Sequence, residues 1–407
     1  IRAGKSMSAK KIRRARGDAL AIGLMSGTSH DGVSAALVTI DERGRPPARA
    51  IHFQTYPYSA KFRARLLAAT SGAPVGSGEL SALNFELGRA FGRAALAVAR
   101  DARVALSRID FIGSHGHTFF HRPPRVTRRG ETASTLQLGE SAVIAATTGL
   151  PVVADFRPMD IALGGEGAPL APLAHLWLFA DPRRGRVIQN IGGIGNATYI
   201  PPAARLGHRG LIAFDTGPGV GLIDALMNET TGGRMRMDRG GKIAARGRAS
   251  EQLLAVLMRH PYFRRRPPKS TGREEFGLAY LAEIKHAAKI IAVGGDDLLA
   301  TVTALTARSI ADSVRRFIAP RGRVDQLIAT GGGARNPTLL KMLAAQMPSV
   351  EVTTATRVGV DGDSLEAVAF AILGYQMLRG RQGNIPSVTG ARAPAILGKL
   401  TLPPRVS

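Results

Sequence analysis

The sequence predicts a mixed α/β fold of two lobes, each a mixed sheet flanked by helices. Three observations carry that expectation. Strand-like apolar runs alternate with helical periodicity along most of the 407 residues. A glycine-punctuated turn, Ser26-Gly-Thr-Ser-His-Asp-Gly-Val33, separates two apolar runs near the start. A second, Asn190-Ile-Gly-Gly-Ile-Gly-Asn196, does the same about half a chain later, as a duplicated architecture would.

Taken in order, 50–56 reads as a third strand after the first hairpin. Helical spacing covers 60–69 and then 79–104, where Leu83, Leu87, Phe91, Ala95 and Val98 recur at three- and four-residue steps. A short strand, 109–112, runs into Gly113-Ser-His-Gly-His-Thr118, with a bend at Gly116. Strands at 135–138 and 152–155 enclose a helix through Ala145. The second half repeats the plan. A strand at 211–214 follows its hairpin, then a helix from Leu222, a long helix over 298–318 and a buried strand at Leu327. A helix from Asn336, a strand near Val350 and a helix over 364–378 complete it. Segments 122–130 and 264–269 read as mobile surface loops. The expected organisation is a basic disordered tail (1–18), a first lobe (19–150) with C-terminal segment 375–407 packing back on it, irregular after residue 380, and a second lobe (151–374).

A hydrophobic content of 44% supplies a large core. No apolar run reaches the ~18 residues that span a bilayer, so no membrane partner is expected. The chain lacks cysteine, which excludes disulfides, thiolate catalysis and cysteine-ligated metals and fits a reducing compartment. The net charge of +25 invites a nucleic-acid reading, but Arg2, Lys5, Lys10, Lys11, Arg13, Arg14 and Arg16 concentrate part of it in the tail. Elsewhere arginine is scattered without a basic helix or interleaved aromatics. Attraction of anionic substrates therefore outranks specific nucleic-acid binding.

Both turns suit anionic oxygens, because glycine lets backbone amides approach a ligand and Ser, Thr and Asn add donors. The plainer reading of either alone is a hairpin's own need for glycine. A third element, Leu327-Ile-Ala-Thr-Gly-Gly-Gly-Ala-Arg-Asn336, ends a strand in Gly331, Gly332 and Gly333 before a helix N-terminus, a place that favours a nucleotide. Neither the P-loop nor the Rossmann pattern occurs.

Phosphoryl transfer also needs a carboxylate to activate the nucleophile and a divalent cation. Asp215, at the end of a buried strand before Thr216-Gly-Pro-Gly219, is the best candidate; capping the helix near Val220 is its structural alternative. Asp155 and Asp160 flank Arg157, where a sugar contact, a metal-bound water or an ion pair with Arg157 all fit. Asp31 could hold Mg²⁺ through water or form an Asx turn. Glu366 opens a helix, so compensation of its dipole competes with substrate contact. His115, His117 and His121 form the only histidine cluster, and hydrogen bonding to substrate from His117 and Thr118 fits better than a metal site.

Several motifs then resemble one family. Met25-Ser-Gly-Thr-Ser-His-Asp-Gly32, Ser114-His-Gly-His-Thr118, Val153-Ala-Asp-Phe-Arg157, Gly164-Gly-Glu-Gly-Ala-Pro-Leu170 and Asn190-Ile-Gly-Gly-Ile-Gly-Asn196 look like those of anhydro-N-acetylmuramic acid kinases. Phe214-Asp-Thr-Gly-Pro-Gly219, Ser270-Thr-Gly-Arg-Glu274, Gly331-Gly-Gly-Ala-Arg-Asn336 and Val388-Thr-Gly-Ala391 extend the likeness, in order, from about residue 21 to about 400. The resemblance implies a two-lobed actin-like ATPase fold of the sugar kinase, Hsp70 and actin superfamily. It also implies ATP- and Mg²⁺-dependent conversion of 1,6-anhydro-N-acetylmuramic acid to N-acetylmuramic acid 6-phosphate, in cytoplasmic peptidoglycan recycling and amino-sugar catabolism, and a homodimer.

Carried over by motif, Asp215 is the general base for the attacking water. Ser26, Gly27, Thr28, Ser29, His30, Asp31, Gly32 and Val33 form one ATP phosphate loop; Asn190, Gly192, Gly193 and Asn196 form the second. Gly331, Gly332, Gly333 and Asn336 form the nucleotide wall, and Thr118, Arg157 and Glu366 lie near the sugar. Five positions depart from the family pattern: His30 for leucine, Ser34 for an acidic residue, His117 for glutamine, Glu166 for glutamine and Val220 for asparagine. The changes at His117 and Val220 bear on the sugar side. The rival readings are a related kinase that phosphorylates an intact hydroxyl and a degenerate ATP-binding sensor.

Overall fold

The computed structural model describes residues 18–27, 30–72, 74–202, 204 and 210–404. The basic tail up to residue 17, and Thr28 and Ser29 of the first turn, lie outside the described residues. The chain divides into two compact units, residues 1–178 with 364–407, and residues 179–363.

In the first unit β1 (Asp18–Ser26), β2 (Gly32–Asp41) and β3 (Ala48–Pro57) form an antiparallel meander. Helices α1 (Ala60–Thr70) and α2 (Ser77–Asp101) follow. Strand β4 (Phe111–Arg122) pairs parallel with β1 and antiparallel with β5 (Ser134–Leu138). After α3 (Ser141–Thr148), β6 (Val152–Ala154) adds parallel to β4. Helices α4 (Pro158–Ala162) and α5 (Ala171–Phe179) come next.

The second unit repeats the scheme. Strands β7 (Arg186–Ile191), β8 (Ile194–Ile200) and β9 (Ile212–Pro218) are antiparallel. Helices α6 (Gly221–Thr230), α7 (Glu251–Leu257), α8 (Leu278–Ile291) and α9 (Gly295–Ser313) separate them from β10 (Gln326–Thr330). Strand β10 pairs parallel with β7 and, after α10 (Pro337–Gln346), with β11 (Glu351–Thr354). The chain then re-enters the first unit through α11 (Leu365–Leu378), α12 (Pro386–Thr389) and β12 (Lys399–Thr401).

The order β3-β2-β1-β4-β6 in one sheet matches β9-β8-β7-β10-β11 in the other, with the same parallel and antiparallel senses. This is the duplicated mixed-sheet α/β architecture that the two hairpins predicted. Each sheet carries helices because its central strands are apolar on both faces and need cover. In the first unit α2 turns Leu83, Leu87, Phe91 and Val98 onto Ile22, Leu24, Leu37 and Ile112, all of them out of solvent. Each such burial stabilises by about 1.5–3 kcal/mol. In the second, Ile310 of α9 and Leu339 and Leu343 of α10 cover Val187, Ile191, Phe214 and Leu327.

Several expectations are corrected. The unit boundaries fall at 178/179 and 363/364, rather than at 150 and 374, because β6 joins the sheet of the first unit and α11 lies against β1 and β4. The C-terminal segment is not wholly irregular: β12 pairs antiparallel with β6. Segment 113–118 belongs to one continuous strand, with the Gly116 bend accommodated as a bulge against β1. The 264–269 segment is no surface loop throughout, since Lys269 is buried. Among the described residues no helix is long and apolar enough to cross a membrane.

Candidate active site

In the second unit, strand register assembles a polar row. Thr330 of β10 stands opposite Asn190 of β7, Asn190 opposite Asn196 of β8, and Asn196 opposite Asp215 of β9. Paired residues project to the same face, so four strands bring these side chains side by side near the glycine turn. The turn itself, Gly192-Gly193, is clamped through its carbonyls. Val220 N–H donates to Gly192 O at 2.8 Å, and Gly219 N–H donates to Gly193 O at 3.0 Å. Gly331 has φ +74°, and a Cβ there would run into the Asn190 side chain and Ile191 O. The third glycine element is therefore packed on the second turn.

Asp215 is half-buried in the middle of β9, which continues to Pro218 instead of turning after Phe214. The N-cap position of α6 is Val220, five residues further on. Its Oδ2 accepts from Thr271 N–H at 2.9 Å, its own N–H donates to Lys269 O at 3.1 Å, and Tyr262 OH donates to its carbonyl at 2.7 Å. The Thr271 bond reaches the carboxylate itself, and the other two hold the backbone of Asp215. Asn336 is also engaged: as N-cap of α10, its Oδ1 accepts from Leu339 N–H at 3.0 Å. Gly332 has open space where a Cβ would stand, whereas Gly333 lies against Ile191.

In the first unit the described part of the first turn is held by side chains as well as by backbone bonds. Ser26 Oγ accepts from Tyr58 OH at 2.9 Å and lies 3.1 Å from His117 Nδ1. His30, at φ +52°, packs its ring 4.8 Å from that of His117, and its Nε2 lies 3.0 Å from Thr70 Oγ1. Asp31 is exposed in the turn, and its carbonyl accepts from Tyr58 N–H. Val33 is buried at the start of β2, and Gly32 passes so close to Tyr56 O that a Cβ there would clash. Burial, with the neighbouring His30, pushes His117 down to about 4, so its ring is neutral.

Arg157, preceding α4, and Glu366, in the first turn of α11, form a second centre in that unit. Arg157 Nε donates to His115 Nε2 at 2.9 Å and Nη1 donates to Gly167 O at 2.7 Å. Since guanidinium only donates, His115 carries its proton on Nδ1, which faces Gly116 O at 3.1 Å. Burial and Arg157 hold His115 well below its usual range. Burial pushes the Glu366 carboxyl up, and the Arg157 charge opposes that shift. Arg157 itself is lowered to about 10 by burial, against the pull of Glu366 and Asp160. Thr118 is half-buried on β4, one residue beyond His117.

Other candidates are occupied structurally. Asp160, fully buried, accepts from Gly167 N–H, Asn384 Nδ2 and Thr389 Oγ1, tying the 164–169 loop to the C-terminal segment. Asp155 pairs with Lys399 at 2.9 Å, not with Arg157. The histidines diverge: His115 meets Arg157, His117 meets Ser26, and His121 lies 3.0 Å from Thr135 Oγ1. Among the described residues no group of three or more His, Asp or Glu is arranged to hold a metal. Sequence reasoning missed Thr330, Tyr262, Lys269 and Thr271. The Ser270–Glu274 motif was the available signal for Thr271, but nothing in the chain's order shows that it reaches β9.

A family model described as anhydro-N-acetylmuramic acid kinase matches residues 19–403. The chain is 42% identical over 385 residues to the anhydro-N-acetylmuramic acid kinase of Caldanaerobacter subterraneus subsp. tengcongensis, covering 94% of this chain and 97% of that one. It is 41% identical over 384 residues to the Cyanothece protein of the same name, covering 93% and 98%. The Bacillus thuringiensis subsp. konkukian protein so named is 38% identical over 391 residues, covering 94% and 99%.

Proposed function

The chain belongs to the anhydro-N-acetylmuramic acid kinase family, and from that premise we propose that it converts 1,6-anhydro-N-acetylmuramic acid, water and ATP to N-acetylmuramic acid 6-phosphate and ADP. The observation that carries the reading is Asp215, half-buried, aimed by Thr271 and in register with Asn196 and Asn190. Its carboxylate takes a proton from water as the water oxygen bonds to the anomeric carbon. The C1–O6 bond breaks, and the electron pair left on O6 attacks the γ-phosphorus. The β–γ bridging P–O bond breaks with its electrons leaving on ADP, and Asp215 later returns its proton to solvent. Opening the bridge thereby produces the nucleophile that the phosphoryl transfer needs.

Each glycine turn supplies amide donors for phosphate oxygens: Ser26–Val33 in the first unit, and Asn190, Gly192, Gly193 and Asn196 in the second. Gly331, Gly332 and Gly333 form the nucleotide wall, with Asn336 holding the helix behind it. Arg157, Glu366 and Thr118 are the sugar contacts; Arg157 offers a cation to the lactyl carboxylate, while Glu366 and Thr118 hydrogen-bond ring substituents. Mg²⁺ fits the donor set, because Asp31 is an exposed carboxylate at the first turn and Mg²⁺ commonly takes one or two carboxylates, phosphate oxygens and water. When bound it neutralises charge on the phosphates. ATP use and an amino-sugar substrate set the reaction in peptidoglycan recycling and amino-sugar catabolism, in the cytoplasm.

Coupled ADP release with this sugar, on wild type and Asp215→Asn, tests the assignment. Turnover should fall by about 10²-fold or more, the span of general-base catalysis. Turnover within twofold of wild type would remove Asp215 from the base's role. Incorporation of labelled water oxygen at C1 separates this reaction from phosphorylation of an intact hydroxyl.

A further inference from the structure

Lys269 is a cation placed in an apolar cage. It is 5% exposed, with Nζ 4.5 Å from the ring centre of Tyr262, 4.9 Å from that of Phe317 and 5.8 Å from that of Phe214. Its hydrogen bond from Nζ, to Tyr262 O, is long at 3.4 Å. Desolvated cation–π contacts are worth about 2 kcal/mol, so the rings hold the side chain where a carboxylate partner would usually be found. The same residue's carbonyl accepts from Asp215 N–H, and two residues on, Thr271 N–H donates to Asp215 Oδ2. Tyr262, one wall of the cage, donates its hydroxyl to Asp215 O. Cage and carboxylate are therefore two ends of one short connection.

We propose that Lys269 is a positioning residue for Asp215: its caged ammonium pins the 269–271 segment to β9, so that the Thr271 amide aims the carboxylate at its water. The inference rests on the reading of Asp215 as general base. Neither Lys269 nor its rings touches substrate in this account; the cation acts by fixing the backbone that orients the base.

The other charges facing the ammonium are Asp312 and Asp215, which favour it, and Arg265 and Arg316, which oppose it. Burial outweighs them and lowers Lys269 to about 8. Deprotonation weakens the attraction to the rings, so activity should decline on an alkaline limb near that pH. Arginine at the position keeps its charge and should move the limb upward.

The test is ADP release with the anhydro sugar across pH 6–10 for wild type, Lys269→Met and Lys269→Arg, with circular dichroism to establish folding. The expected result for Lys269→Met is a kcat about 10- to 100-fold lower at near-constant KM for both substrates, the cost of a misaimed catalytic group. Its alkaline limb should be absent, and Lys269→Arg should recover part of kcat with the limb displaced. A folded Lys269→Met with wild-type kcat and limb would overturn the proposal. Should that variant fail to fold, an unmoved limb in Lys269→Arg overturns it equally. An inactive Asp215→Asn beside an unaffected Lys269→Met refutes this inference alone, whereas an active Asp215→Asn refutes the base.

Discussion

The two glycine turns occupy equivalent places in the two sheets but are secured by different chemistry. The first, between β1 and β2, adds side-chain supports to its backbone bonds: Tyr58 and His117 on Ser26, and Thr70 on His30. The second, between β7 and β8, is held by backbone: N–H groups of Gly219, Val220 and Gly221 on the carbonyls of Gly192 and Gly193. Duplication has preserved the turn while its supports diverged. A side-chain support is open to titration and substitution. A backbone support ignores side-chain chemistry and instead forbids bulk.

Acid gives the largest separation. His117, His121 and His175 of the first unit are each lowered to about 4 by burial, and burial also holds His115 well below its usual range. The folded unit keeps these rings neutral, whereas the unfolded chain protonates them below about 6.5. Between those values the unfolded state binds more protons, so stability is full above about 6.5 and is lost as pH falls toward 4. For His175, 6% exposed and lowered to about 4, the loss is on the order of 3 kcal/mol. Hydrogen exchange at pH 5 should expose the amides of the first turn before those of the second. The reverse order would break the comparison.

Bulk should strike the second turn. A Cβ at Gly219 would meet Gly192 O, so Gly219→Ala is expected to cost about 1–3 kcal/mol in thermal unfolding and to raise KM for ATP. Unchanged stability and KM would mean that the clamp does not hold the turn. A smaller effect is expected from Tyr58→Phe, which removes one donor to Ser26. It should cost about 0.5–1.5 kcal/mol and weaken ATP binding severalfold, read by calorimetry, with no comparable change in exchange at the second turn.

What could be read from the chain alone differs in kind between scaffold and site. The hairpins, the α2 stripe through Leu83, Leu87, Phe91 and Val98, and the strand at Leu327 are local patterns, because period and turn chemistry act over a few residues. The family motifs likewise picked out Asp215, Asn190, Asn196, Arg157 and Glu366 by residue type. Local pattern misplaced the unit boundaries, because a three-residue strand such as β6 owes its membership to its partners β4 and β12 rather than to its own composition. Asp155 and Arg157 look like an ion pair at two-residue spacing, yet each finds a distant partner, Lys399 and His115.

Composition, periodicity and motif order therefore determine that this is a duplicated α/β chain of the anhydro-N-acetylmuramic acid kinase family, and they mark the candidates for its base and phosphate turns. Tertiary structure decides what those residues are attached to: the row from Thr330 to Asp215, the Thr271 amide on the carboxylate and the caged Lys269. The physical reason is range. Propensity and turn formation are settled between near neighbours, whereas the direction of a carboxylate and the protonation of a buried ring depend on groups that meet only when remote segments pack.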